Sequence, residues 1–295
     1  MGTSWSLRGY ACEALDHAEL HRRILDRFEV WNGLFSTWIV GSFISEFHSA
    51  PNGTRVSPPE RFAKVVRCAI EVADASGGAF NPCLGGPIAA SGFGSPLLKP
   101  GAAASWSDVR KYIAADELVQ PGGLQLDLSA IAKGAAVDEI ANLAGEAGVV
   151  SLLAEIGGVF IGRGVKPDGM PWWVDVEPVA AGAVHWRIAA CDLAVATSGD
   201  GYASRRSAGE LVSHVARLSE PNGERSCGAR GASCVTVVHR DCARADERDV
   251  AGGCADRRSG AVAAGVSCGG AAGGRCGHGE GWGGGVGGAH RDADV

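Results

Sequence analysis

Apolar positions recur at helical spacing through the first quarter of the chain. Leu20, Ile24 and Phe28 follow Asp16-His17-Ala18-Glu19, whose two acidic ends make a capping box. An amphipathic helix is therefore predicted to about Trp31. Phe62, Val65, Val66, Ala69, Ile70 and Ala73 trace a second helical stripe. Ser57-Pro58-Pro59-Glu60 is its predicted start, with proline in the first turn, and Gly77-Gly78 is its break. Later the pattern changes. Residues 124–128 read as a short strand feeding a helix over about 129–147. That helix carries Ile131, Val137, Ile140 and Leu143 inward and is closed by Gly148. The run 149–161 is apolar, interrupted by Gly157-Gly158. Trp172–Val176, residues 187–196 and Cys234–His239 are predicted strands. The irregular alternation, with hairpin-like pairs late in the chain, predicts α+β with mixed or antiparallel sheets rather than a doubly wound fold. No internal repeat is visible.

Bulk composition changes this picture little. The 295 residues are 46% hydrophobic and 20% charged, ordinary for a globular protein with one large domain or two moderate ones. A net charge of −6 excludes a nucleic-acid partner held by counterion release. No apolar run approaches the roughly 20 residues that span a bilayer, and no basic, apolar leader opens the chain. As written, the sequence is expected to be cytoplasmic.

The distribution of glycine changes it more. There are 45 glycines, and after Leu218 no Leu, Ile, Phe, Met or Lys occurs. A segment without large aliphatics cannot offset the entropy of folding. The expected organisation is one domain over 1–218, a degenerate remainder over 219–250, and a disordered Gly/Ala/Arg/Cys-rich tail over 251–295. A shifted reading frame in a GC-rich gene would produce such a tail; a natural low-complexity extension is the alternative. Six of the ten cysteines lie after Leu218, with no CxxC pair and no zinc-ligand spacing. Cys12, Cys68, Cys83 and Cys191 sit in apolar surroundings and are expected to be buried thiols.

The chemistry concentrates at the start of the helix over 129–147. Asp127, a carbonyl near Ala130 and Lys133 one turn later could meet a metal and a phosphate there. A capped helix with solvated Asp and Lys accounts for the same residues. Gly77-Gly78-Ala79-Phe80, Gly92-Phe93-Gly94, Gly157-Gly158 and Thr197-Ser198-Gly199 punctuate the chain as turns that admit close ligand approach. No GxGxxG, P-loop, GxSxG or HExxH motif accompanies them.

Taken in order, these segments resemble a known family. They are Met1-Gly2-Thr3, Phe35-Ser36-Thr37-Trp38, Gly77-Gly78-Ala79-Phe80-Asn81-Pro82, Gly92-Phe93-Gly94 and 127–134 with Asp138. Ile156-Gly157-Gly158, Pro167-Asp168-Gly169 with Trp172, and Ala196-Thr197-Ser198-Gly199 follow. The succession over about 1–205 resembles the ApbE family, the FAD:protein FMN transferases. The resemblance implies a two-subdomain α+β fold that binds FAD and magnesium. It implies transfer of FMN through a phosphoester bond to a Thr or Ser of a target protein, with release of AMP. Relatives are often exported or membrane-anchored. The family pattern assigns FAD contacts to Met1, Trp38, Ala79, Phe80, Asn81, Asp127, Lys133 and Thr197. It assigns magnesium to the Ala130 carbonyl and Asp246, and proton transfer at the acceptor hydroxyl to His214, with Asp246 beside the chemistry.

Departures from the pattern are specific. Asn81 stands where the family has Asp, Cys83 where Thr is common, and Ser91 where Trp precedes the Gly-Phe-Gly turn. After His214 the expected Asp-Pro-x-x-Gly is replaced by Glu220-Pro221-Asn222-Gly223. Near Cys234–His239 the metal motif AD-x-x-x-T begins at Asp246, but its Thr is Val250. A recognisable island between unrelated stretches fits two frameshifts. FAD binding or hydrolysis without transfer is the alternative activity, and a cysteine-rich metal or redox module in the tail is the alternative from another class.

Overall fold

The structure is a computed structural model that describes residues 2–12, 14–78, 80–176 and 185–199, and beyond them the strands at 204–207, 210–213 and 234–239. In chain order the elements are β1 (Trp5–Ala11), α1 (His17–Phe35), α2 (Phe43–Ser49), β2 (Arg55–Val56), α3 (Glu60–Ala75), α4 (Gly85–Ser91) and α5 (Trp106–Val109). Next come β3 (Leu118–Val119), α6 (Ser129–Glu146), β4 (Val149–Ile156), β5 (Val159–Arg163), β6 (Trp172–Val176) and β7 (Trp186–Ala190). The last are β8 (Leu193–Gly199), β9 (Ser204–Ser207), β10 (Glu210–Ser213) and β11 (Cys234–His239). Among the described residues every strand pairing is antiparallel, so the expected α+β class holds.

The central sheet has the order β1-β4-β5-β8-β11. One face buries Leu7, Leu152, Ala154, Ile156, Ile161 and Ala194 against α6 and the helices beyond it. The other face forms a smaller core of Leu153, Trp172, Val174, Ala190 and Val195 under the β6–β7 ribbon. Trp172 is buried there because its indole N–H donates to Ser151 Oγ at 3.0 Å, leaving no unpaired polar group. The ribbon crosses the sheet closely at Gly162. A Cβ at that position would run into the Ala190 carbonyl oxygen and lie 2.8 Å from the Ala190 Cβ.

Helix α6 is apolar nearly all round, with Ile131, Ala132, Gly134, Ala136, Val137, Ile140, Ala141, Leu143 and Ala144 buried, as befits a helix between layers. Gly148, at φ +97°, turns the chain straight into β4. The two elements therefore lie antiparallel. At about 27 Å for the helix and about 26 Å for the strand, their lengths match. The mouth of α6 thus sits over the end of β4, at the Gly157-Gly158 turn.

The predicted elements hold with four corrections. Helix α1 is capped as predicted: the Asp16 carboxylate accepts the Glu19 N–H at 2.9 Å. Helix α3 begins only at Glu60, with Pro59 at the cap position and no side-chain cap, because two consecutive prolines hold the preceding backbone extended. Residues 124–128 form no strand and pair with none. The predicted strand over 187–196 is two strands, split where Asp192 adopts φ +51° and its carboxylate accepts the Gly164 N–H at 3.0 Å. Of the four thiols expected to be buried, only Cys83 is: Cys12 is exposed, and Cys68 and Cys191 are half-buried. The expected tail over 251–295 lies outside the described residues. Among the described residues no helix is long and apolar enough to cross a membrane.

Candidate active site

The site is assembled from loops whose backbone is held by side chains. The segment 124–128 shows how. Its backbone groups would be orphaned in a buried stretch without a strand partner, and side chains and loops supply partners instead. The Leu124 N–H donates to Gln120 Oε1 at 2.8 Å, and the Leu126 N–H donates to His48 Nε2 at 2.9 Å. The Gly85 N–H donates to the Gln125 carbonyl at 3.1 Å, and the Asp127 N–H donates to the Pro82 carbonyl at 2.7 Å. Gln125 exchanges two bonds at 2.6 Å with the backbone of Lys99, as a strand residue would. The segment thus reaches the mouth of α6 in one fixed conformation.

At that mouth Asp127 Oδ1 accepts the Ser129 N–H at 2.9 Å, an Asx turn that leaves the second carboxylate oxygen without a hydrogen bond among the described residues. The carboxylate stands beside the positive end of an 18-residue helix. Lys133, one turn on, is half-buried and forms no ion pair among the described residues. Ala130 is half-buried in the first turn, its carbonyl directed along the helix. A half-buried ammonium beside a helix N-terminus suits an anionic ligand that brings its own charge.

Three further pieces carry residues that the family pattern assigns to the site. Gly157, at φ +55°, accepts Thr3 so closely that a Cβ would lie 2.8 Å from Thr3 Oγ1, and its N–H donates to the Ser4 carbonyl at 3.1 Å. The chain start is thereby pinned to the β4–β5 turn. Continuing the Phe160–Val195 register by two residues brings Gly158 beside Thr197, which is exposed. The α1–α2 loop is tied in by Ser95, whose hydroxyl donates to the Thr37 carbonyl at 2.6 Å. Trp38, next along, is 65% exposed, with Ile39 and Val40 exposed beside it.

Phe80 and Asn81 are 2% and 3% exposed. Asn81 is spent on its own loop: Nδ2 donates to the Ala104 carbonyl at 3.0 Å and Oδ1 accepts the Cys83 N–H at 2.9 Å. Burial pushes the Cys83 thiol up to about 12, which leaves it an inert core group. Burial pushes His48 down to about 4, so its ring is neutral near pH 7 and Nε2 keeps the lone pair that the Leu126 amide needs. Met1, Ala79, His214 and Asp246 lie outside the described residues. Among the described residues no three His, Cys, Asp or Glu side chains gather as a metal cluster.

Sequence reasoning missed the supports of this site: His48, Gln120, Gln125 and Ser95. Their one signal is a polar residue inside an otherwise apolar stretch, as with His48 beside Ile44 and Phe47. A groove of about 690 Å³ lies elsewhere, on the α6 stripe of Ile131, Ala135, Asp138 and Asn142 facing α1 and α3. Its central carboxylate, Glu139, is already engaged by Arg61 at 2.8 Å, Arg27 at 3.1 Å and the Trp31 indole at 2.8 Å. That is an ion-pair bracket between helices.

An antiparallel sheet backed by a buried helix is a fold that this chain shares with solved flavin transferases. The flavin transferase ApbE from Vibrio cholerae superposes with a TM-score of 0.70 at 26% identity, covering 85% of this chain and 83% of that one. The apo flavinyl transferase ApbE of Pseudomonas stutzeri gives 0.69 at 25% identity, covering 84% and 79%. The ApbE family model matches residues 1–253, and the chain belongs to the ApbE family, which is a family of enzymes. The FAD:protein FMN transferase of Vibrio cholerae is 28% identical over 260 residues, 83% of this chain and 76% of that protein. The chain spans about half the length of other curated relatives, such as the FAD:protein FMN transferase of Klebsiella pneumoniae at 55%.

Proposed function

We propose that this chain moves the FMN half of FAD onto a threonine or serine hydroxyl of a flavin-accepting protein, with magnesium, and releases AMP. The acceptor oxygen bonds to the FMN phosphorus as the bond from that phosphorus to the AMP oxygen breaks. The hydroxyl proton passes to a base, the role of His214 in this scheme. The residues divide the remaining work. The exposed Trp38 indole offers a plane for the flavin or the adenine. The backbone of the Ala79-Phe80-Asn81 turn and the chain start at Met1 border the nucleotide. Asp127 and Lys133 hold its polar groups and diphosphate, and Thr197 lines the site.

The donor set fits magnesium only as a partly protein-bound ion. A carbonyl has two lone pairs, so Ala130 can serve its helix and a cation at once. Asp246 would add a carboxylate. Magnesium keeps water and prefers substrate phosphate to a full protein cage, so a sparse set is sufficient. When bound it neutralises charge on the diphosphate.

The observation that carries this reading is Lys133, half-buried and without an ion pair among the described residues, one turn after Asp127 at the mouth of α6. Incubation with FAD, magnesium chloride and a threonine-bearing acceptor peptide is the test. A peptide heavier by FMN less water, and fluorescent, supports the proposal; unmodified peptide from folded protein that binds FAD overturns transfer. A second reading has its own observation. Val250 stands where the motif beginning at Asp246 has a second side-chain oxygen. That favours FAD binding or hydrolysis without transfer, and FMN plus AMP with no adduct would identify it.

A further inference from the structure

Helix α2 reaches both halves of the candidate site. At its first turn Ser42 and Ser45 hydroxyls donate to the Ser36 carbonyl at 2.5 Å and 3.3 Å, which holds the loop carrying Trp38. In its last turn His48 accepts the amide of Leu126, 78 residues away in sequence. Leu126 is only 1% exposed, so no water can replace that acceptor. The next amide, that of Asp127, is held by the Pro82 carbonyl. His48 and Pro82 therefore hold two consecutive amides of the 126–127 backbone, immediately before the carboxylate that opens α6.

We infer that His48 is a positioning residue for Asp127: by holding the Leu126 amide from α2, it fixes the direction of the Asp127 carboxylate and registers it to the Trp38 loop. This rests on the proposal that Asp127 holds polar groups of FAD. Nothing but the hydrogen bond and the shape of the ring is required of His48, and it touches no substrate. Its effect must therefore pass through Asp127, which separates it from a general packing role.

The test uses the full chain with His48→Leu, His48→Gln, Asp127→Asn and the double variant His48→Leu/Asp127→Asn. FAD uptake with magnesium chloride is read by flavin fluorescence, and transfer is read as KM and kcat. His48→Leu is expected to weaken FAD about tenfold, in KM rather than kcat. His48→Gln, which keeps an acceptor, is expected to stay within about threefold of the parent. In the Asp127→Asn background His48→Leu is expected to add nothing, the signature of two residues acting as one unit. An equal tenfold loss in both backgrounds, or no loss in folded His48→Leu, overturns the inference. If His48→Leu does not fold, His48→Asn, whose shorter acceptor withdraws from Leu126, takes its place in the same cycle. If the parent chain takes up no FAD, the functional reading fails separately. Amide exchange in the unliganded protein then decides the inference: Leu126 and Asp127 exchanging about tenfold faster without the acceptor supports it, and equal rates overturn it.

Discussion

Lys133 and His48 do opposite jobs, and single substitutions separate them. Lys133 has no ion pair among the described residues, so replacing it strands no partner. Lys133→Met is expected to lower FAD affinity by roughly 10- to 100-fold, the range of one charge-assisted contact, while the thermal midpoint stays within about 2 °C. Binding calorimetry beside a melting curve checks both halves. His48, besides positioning Asp127, gives stability a pH signature. Its folded value lies below the unfolded one, so the unfolded chain binds the extra proton. The stabilisation is complete above pH 6.5 and is lost as pH falls from there toward about 4. The loss amounts to about 2 to 3 kcal/mol. Denaturant titrations from pH 7 to 5 should show stability declining in the parent and declining less in His48→Gln. Glu139 adds its own slope lower down. Burial pushes its carboxyl up, but the Arg61 and Trp31 hydrogen bonds and the Arg61 and Arg27 charges outweigh that and hold it below its usual value. Its contribution is present above about pH 4.5 and disappears below.

At the scale of elements, the close crossing at Gly162 gives the sharpest expectation. The β6–β7 ribbon lies against β5 through the Ala190 carbonyl, which occupies the space where a side chain would begin. Gly162→Ala is expected to cost about 2 kcal/mol through overpacking, read as a shift in the urea midpoint at unchanged slope. The same elements show what a sequence displays and what it hides. Helices α1 and α6 and strand β11 were legible, because periodicity, caps and β-branched runs are local signals. The stretch 124–128 read as a strand because its composition is that of one. It pairs with none because His48, Gln120, Gly85 and Pro82, all distant in sequence or in loops, take its backbone groups. The split between β7 and β8 depends on Asp192 tolerating a positive φ, which no pattern of apolar residues encodes. Of the candidate site, Asp127, Lys133 and the glycine turns were readable by residue type. The loop network that orients them was not, because side chain-to-backbone bonds across 26 to 78 residues leave no periodic trace.

For the molecule as a whole, the family match stops at residue 253, before the last 42 positions. Those positions contain no Leu, Ile, Phe, Met or Lys, and hence almost none of the apolar area that stabilises a fold. Deleting 254–295 is therefore expected to leave the thermal midpoint within about 2 °C and FAD uptake unchanged. A ligand that binds only the folded state raises stability by about 2.7 kcal/mol at a hundredfold excess over its dissociation constant. Melting the full and shortened chains with and without FAD and magnesium chloride thus tests fold and site in one experiment. Equal FAD-induced shifts in both place the function within residues 1–253. A shift that vanishes on deletion would mean that the tail supplies part of the site. The same assay weighs the altered metal motif. Val250→Thr returns a hydroxyl to the spacing set by Asp246, and a magnesium-dependent rise in the FAD shift is expected from it. If that substitution changes nothing while Lys133→Met abolishes the shift, FAD is held at the mouth of α6 without help from the motif at Asp246.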